Sequence, residues 1–132
     1  MKARELQSTL TADGTLRLTI AELEVPPPAA DEAIVRIEAA PVNPTDIFLM
    51  LSMADLARAR LVDGALEAPV PPVVVGVFAG RLGQPLAVGS EGAGTVVEAG
   101  ASAQAQALLG KRVGLVGGAF ATHRKLPVAM LR

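Results

Sequence analysis

The stretch Val88-Gly-Ser-Glu-Gly-Ala-Gly-Thr-Val-Val-Glu-Ala-Gly100 constrains the fold more than any other part of the chain. A dinucleotide-binding loop needs Gly-x-Gly-x-x-Gly between a strand and a helix. Gly92 and Gly94 supply the first pair, but Val97 stands at the third position. The residues after Gly94 are Thr-Val-Val-Glu, a β-type run and not a helix start. No helix N-terminus would face a phosphate here, and the Lys-Ser/Thr of a P-loop is missing. These glycines therefore read as places where backbone approaches backbone, at a bulge or tight bend entering a strand. Gly114-Leu-Val-Gly117-Gly118 has the wrong spacing for such a loop as well.

The rest of the chain points the same way. Leu16, Leu18 and Ile20 alternate with Arg17 and Thr19, and Ala12-Asp13-Gly14 precedes them. Asp-Gly between alternating segments predicts a hairpin of Arg4–Leu10 with Thr15–Leu23. Val25-Pro26-Pro27-Pro28 cannot sit in a central strand. Ala33–Ala40 reads as a strand with Val35 and Ile37 on one face and Arg36 and Glu38 on the other. Ala93–Ala99, Lys111–Val116 and Phe120–Leu126 read as further strands, and Ala101–Leu109 as a short helical turn.

Helical signals are few. In Asn43-Pro44-Thr45-Asp46 an N-cap, a first-position proline and a first-turn acid succeed one another. Ser52-Met-Ala-Asp55 resembles a capping box and predicts a second helix to about Val62, with Gly64 as its stop. Ala65–Val88 is rich in Pro and Gly and reads as a long loop, with or without a short strand at Val73–Val75. Strands dominate without β-α alternation, which favours a small β-barrel-like domain over a parallel α/β sheet.

At 132 residues the chain is the size of one domain. Its core must come from Val, Leu, Ile and Ala, because Phe48, Phe78 and Phe120 are the only aromatic residues. A net charge of −1 without charge blocks, and so few stacking platforms, give no case for nucleic acid or an anionic membrane. The absence of cysteine excludes disulfides and thiolate metal sites, and His123 has no imidazole partner. The longest uncharged run, Ala68–Gly80, is broken by prolines and is too short to span a bilayer. Met1–Gln7 lacks the apolar core of a signal peptide, so a cytoplasmic protein is the default expectation.

Three blocks carry a resemblance. Val35-Arg-Ile-Glu-Ala-Ala-Pro-Val-Asn-Pro-Thr-Asp-Ile47, Pro85–Gly100 and Gly110-Lys-Arg-Val-Gly114 occur in the order seen in the medium-chain dehydrogenase/reductase superfamily. The sequence is similar to that superfamily's N-terminal catalytic domain over nearly its whole length. The resemblance implies a mainly β (β-rich α+β) chain, a GroES-like, partly open β-barrel with one or two short helices. In the zinc enzymes of that superfamily a cysteine stands at the position of Asn43 and a histidine at that of Ser90, and both bind zinc. An amide and a hydroxyl are poor replacements, so the match is to the zinc-independent, quinone oxidoreductase-like branch.

The resemblance further implies NADP or NAD as the cofactor of a full-length enzyme, and quinones, enones or enoyl thioesters as substrates. Residues 1–132 would form the substrate-side wall of its cleft. The cofactor-binding Rossmann domain lies outside this sequence, so the piece by itself is expected to bind no nicotinamide cofactor and no zinc and to be inactive. A homodimer is left open. The alternative is a non-catalytic binding or assembly module on the same barrel. Met53–Leu82 is longer than expected between the motifs, which predicts a reshaped substrate entrance.

Each candidate residue has two readings. Asn43 serves as an N-cap, or its amide meets the nicotinamide or a substrate carbonyl. Thr45 satisfies a backbone group, or matches the hydroxyl that relays protons in the zinc enzymes. Asp46 complements the helix N-terminus, with a site role as the lesser reading. Phe48 belongs to the core or lines a pocket. Ser90 and Glu91 stand where the histidine and the acid after it lie in the zinc enzymes, and brace the strand entry if they do not touch substrate. His123, beside Arg124 and Lys125, reads as a solvated strand edge, and Met50 and Met53 as packing.

Overall fold

A computed structural model describes residues 1–132. Nine strands, β1 (Lys2–Leu10), β2 (Thr15–Glu24), β3 (Glu32–Ala39), β4 (Arg60–Val62), β5 (Ala65–Pro69), β6 (Leu86–Ala87), β7 (Glu91–Ala99), β8 (Arg112–Val116) and β9 (His123–Pro127), carry most of the regular structure. Three short helices, α1 (Pro44–Leu51), α2 (Pro72–Val77) and α3 (Ala103–Gln106), complete it. The strands form a five-stranded sheet, β4-β5-β2-β1-β6, and a four-stranded sheet, β8-β7-β3-β9, neither closed on itself. The β-rich architecture expected from the alternation patterns is present, partly open as the resemblance implies and with one helix more than the resemblance implies.

The chain divides into two compact units. The first comprises Met1–Glu5, Glu22–Pro41 and Gly89–Arg132. Its centre is β3, flanked by antiparallel β7 and β9. Ala33, Val35, Val96, Val113, Leu115, Ala119, Leu126 and Leu131 form its apolar core. The β3 and β7 backbones approach closely at Gly94. A Cβ on Gly94 would strike the backbone carbonyl of Arg36 and come within 2.9 Å of the Ile37 Cα. At Gly100 the same substitution would strike the carbonyls of Ala29 and Ala30. The glycine-rich stretch is thus a strand pressed against neighbouring backbone, as its sequence indicated.

The second unit comprises Leu6–Ala21 and Val42–Val88. Leu10, Leu16, Val70 and Val74 are its buried centre, with Leu51, Val75, Phe78 and Leu82 packed around them. Leu10 and Leu16 are fully buried, and each contributes about 1.5–3 kcal/mol of transfer free energy. The Asp13-Gly14 hairpin forms as expected, closed by the Thr11 N–H on the Thr15 carbonyl at 2.9 Å.

Two expectations fail in this unit. No helix runs from Ser52 to Val62. Ser52 instead ends α1 in the left-handed region, at φ 48°. Asp55 does act as a cap, its carboxylate accepting from the Ala57 N–H at 3.2 Å, but only one 3-10 turn, Leu56–Arg58, forms after it. Arg60–Val62 then pairs with Ala65–Glu67. The turn between them is Asp63-Gly64, with φ 49° and 77°. Positive φ at both central residues is the two-residue hairpin turn that Asp-Gly favours. Ladder hydrogen bonds from that hairpin outweigh the local helix signal. In the other case, Ala65–Val88 is not a long loop: it holds β5, α2 and β6, and Val73–Val75 is helical, not extended. Pro72 opens α2, where its fixed φ suits the first helical position.

Candidate functional site

Within the second unit, α1 carries four of the candidate residues. Asn43 is its N-cap, extended at φ −90° and ψ 157°. Its carbonyl accepts from the N–H groups of Asp46 (3.0 Å) and Ile47 (3.2 Å). The Asp46 carboxylate reaches back to the Asn43 N–H at 2.8 Å. Asp46 is only 1% exposed, and its carboxylate braces the cap from inside. Thr45 is exposed. Phe48 is 47% exposed, which corrects its reading as a core residue. Thr45 and Phe48 are three positions apart and share a face of α1. Asn43, half-buried, lies outside that face at the cap, where its side chain also accepts from the Asp46 N–H.

The far end of α1 is tied down by residues that sequence reasoning missed. The Ser52 N–H donates to the Phe48 carbonyl at 2.8 Å, and the Ala54 N–H to the Leu51 carbonyl at 2.8 Å. The Ser8 hydroxyl, fully buried, donates to the Met50 carbonyl at 2.9 Å. The last-turn carbonyls of a short helix are orphans without such donors. Arg81 adds a donor to the Ser52 hydroxyl at 3.1 Å and lies 4.8 Å above the Phe78 ring. Phe78 in turn meets Phe48 with ring centroids 6.0 Å apart. Burial holds the Arg81 pKa below its ordinary value. No local pattern announces this cluster, because Ser8, Ser52 and Arg81 are far apart in the chain. Met50 is half-buried, but Met53 is 63% exposed and does not pack in the core.

Ser90 and Glu91 belong to the first unit, at the entry to β7. The Ser90 carbonyl accepts from the Gly117 N–H at 2.7 Å, and Glu91 faces Val116 across the β7–β8 ladder. Glu91 is exposed and Ser90 half-buried. Glu91 lines a concavity of about 470 Å³ together with Ala39, Gly92, Leu115, Val116 and Arg132. His123 begins the edge strand β9, with Nδ1 3.3 Å from the Thr122 hydroxyl. That edge is less solvated than expected. Arg124 pairs with the buried Glu5 at 2.7 Å, and Lys125 with Glu32 at 3.2 Å. No group of three or more His, Asp or Glu side chains is arranged to hold a metal ion. No helix is long and apolar enough to cross a membrane.

Two small antiparallel sheets with a capped short helix between β3 and β4 define a GroES-like β domain. Residues 29–130 match the family model of the alcohol dehydrogenase GroES-like domain. The chain belongs to that family. No curated protein matches it by sequence. Among solved structures, it is similar to a protein assigned as an NADPH:quinone reductase from Bacillus thuringiensis. That match has 21% identity and a TM-score of 0.65, and covers 99% of this chain and 33% of the other. It also resembles the CurK enoyl reductase, with 17% identity, a TM-score of 0.63 and coverage of 98% and 34%. A third likeness is to a complex of ETR1P with NADP and crotonyl-CoA, with 19% identity, a TM-score of 0.65 and coverage of 100% and 33%. The chain therefore spans about a third of the length of these structures.

Proposed function

We propose that this chain forms the substrate-side wall of a zinc-independent, NAD(P)H-dependent oxidoreductase that reduces quinones, enones or enoyl thioesters. The observation that carries the reading is the exposed face of α1. It offers a hydroxyl at Thr45 and an aromatic ring at Phe48, and the half-buried Asn43, whose side chain also caps the first turn, starts the helix. The amide and hydroxyl suit a substrate carbonyl oxygen, and the ring suits a flat conjugated substrate. In the zinc enzymes that the sequence resembles, the position of Asn43 is a thiolate. Names of the similar structures, a quinone reductase and enoyl reductases among them, support the same substrate classes.

The residues present do not fit a nicotinamide dinucleotide's pyrophosphate. The glycine-rich segment is a strand whose missing side chains are replaced by neighbouring backbone. Cofactor binding in the whole enzyme would fall to residues outside this chain.

The test uses the intact protein. NADPH and NADH consumption is followed with a quinone, an enone and an enoyl thioester, before and after EDTA. The reading expects turnover with at least one acceptor and no loss on chelation. Asn43→Ala and Thr45→Val should lower kcat/KM by about tenfold or more, the scale of a lost hydrogen bond to a reacting oxygen. A large loss on EDTA treatment overturns the zinc-independent assignment. Absence of turnover with every acceptor favours a non-catalytic module instead.

A further inference from the structure

We propose that the face formed by β4, β5 and β2 in the second unit binds the phosphate group of a small ligand. A cavity of about 330 Å³ opens there, lined by Thr15, Arg58, Arg60, Glu67, Ala68 and Pro69. That volume lies within the range of small-molecule sites, about 300–1,000 Å³. Strand pairing explains why its charges converge. Arg60 on β4 stands opposite Glu67 on β5, and Glu67 stands opposite Arg17 on β2. Residues directly opposite one another in a ladder share a sheet face. Arg60, Glu67 and Arg17 therefore form a row across three strands, and Arg58 joins it from the 3-10 turn.

The row is short of negative charge. Glu67 lies 3.8 Å from Arg17 Nε, which is too long for a hydrogen bond. Arg17 Nε is buried and has no acceptor. Arg58 and Arg60 form no ion pair; the four salt bridges all lie elsewhere or on Arg17. Two further acids are engaged with their own loops: Asp55 accepts from the Ala57 N–H at 3.2 Å, and Asp13 from the Thr11 and Thr15 hydroxyls. Two guanidinium groups, Arg58 and Arg60, thus line the cavity with one carboxylate, Glu67, which Arg17 already faces from β2. A surplus of guanidinium over carboxylate attracts an anion, and the guanidinium fork matches the oxygens of a phosphate. The Thr15 hydroxyl adds a small polar group to the wall. With so polar a lining, the site suits a phosphate and not an acyl chain or ring. The site lies mainly on the segment that is longer than the resemblance predicts, and it does not depend on the reading of α1.

The test is protection of arginines in the intact protein from phenylglyoxal, read residue by residue by mass spectrometry. Rates are compared with inorganic phosphate, with pyrophosphate, and with sodium chloride at matched ionic strength. Either phosphate should slow modification of Arg58 and Arg60 about fivefold at a concentration near four times its Kd. The exposed Arg4 and Arg112 serve as references and should react unchanged. Glu67→Gln removes the one acid in the row and should strengthen protection by about threefold at a fixed phosphate concentration. Equal slowing at all four arginines, equal slowing by chloride, or no slowing at Arg58 and Arg60 would overturn the proposal. Because the readout is confined to individual arginines, it is unaffected by whether the protein reduces anything.

Discussion

The carboxylate of Asp46 accepts a hydrogen bond from the backbone N–H of Asn43 at 2.8 Å, and the residue is 1% exposed. The acid in the first turn of α1 is thus an internal brace for the cap that presents Asn43. Asp46→Ala should cost about 1–2 kcal/mol, the usual range for a lost cap or buried hydrogen bond. Chemical denaturation of the wild type and the variant checks this. A cost near zero would mean that the brace is not what holds the first turn.

Arg81 should act on the other end of the same helix. Its donor to Ser52 and its place over Phe78 are both lost in Arg81→Ala. The expected loss is about 1–3 kcal/mol. Hydrogen exchange at Ser52 and Ala54, whose N–H groups close α1, should speed up in the variant, while exchange in β3 stays as it was. Uniform acceleration across the chain would argue against a local role.

Glycines should divide sharply by what surrounds them. Gly94→Ala drives a methyl group into the Arg36 backbone, and should destabilise by about 3 kcal/mol or more as β3 and β7 separate. Gly76 lies in α2 with open space around its Cβ position, and Gly76→Ala should stabilise by about 0.5–1 kcal/mol. Melting temperatures of the two variants should move in opposite directions.

Acid sensitivity should run partly through Glu32. The Ala29 N–H, and then Lys125, hold its carboxyl below the ordinary value of 4.5. A depressed folded-state pKa means that the unfolded chain takes up the proton first. The contribution to stability is therefore present above pH 4.5 and is lost as pH falls through the lower folded value. Glu32→Gln should flatten this part of the acid limb in a plot of melting temperature against pH. An unchanged slope below pH 4.5 would show that the pair contributes nothing there.

Much of the fold was legible because its signals are local. Asp13-Gly14, the alternation of β2, Pro44 after an N-cap asparagine, and the β run after Gly94 each act within a few residues. The second Asp-Gly turn, at Asp63-Gly64, is the same kind of signal, but Ser52–Asp55 offers a competing helix start that masks it. Ladder pairing of β4 with β5 decided between the two. At α1, Asn43 was legible as the cap from its place before a proline. Arg81, Ser8 and Ser52 were not, since their contact spans more than seventy residues between Ser8 and Arg81.

By itself, the order of residues determined the hairpin turns, the cap of α1 and the exclusion of a dinucleotide loop, all of which arise from backbone preferences of neighbouring residues. Tertiary structure alone decided that Asp46 is buried, that Phe48 is exposed, and that Arg60 stands in one row with Glu67 and Arg17. Burial and charge convergence depend on which strands lie side by side, and pairing across distant segments is a property of the whole chain.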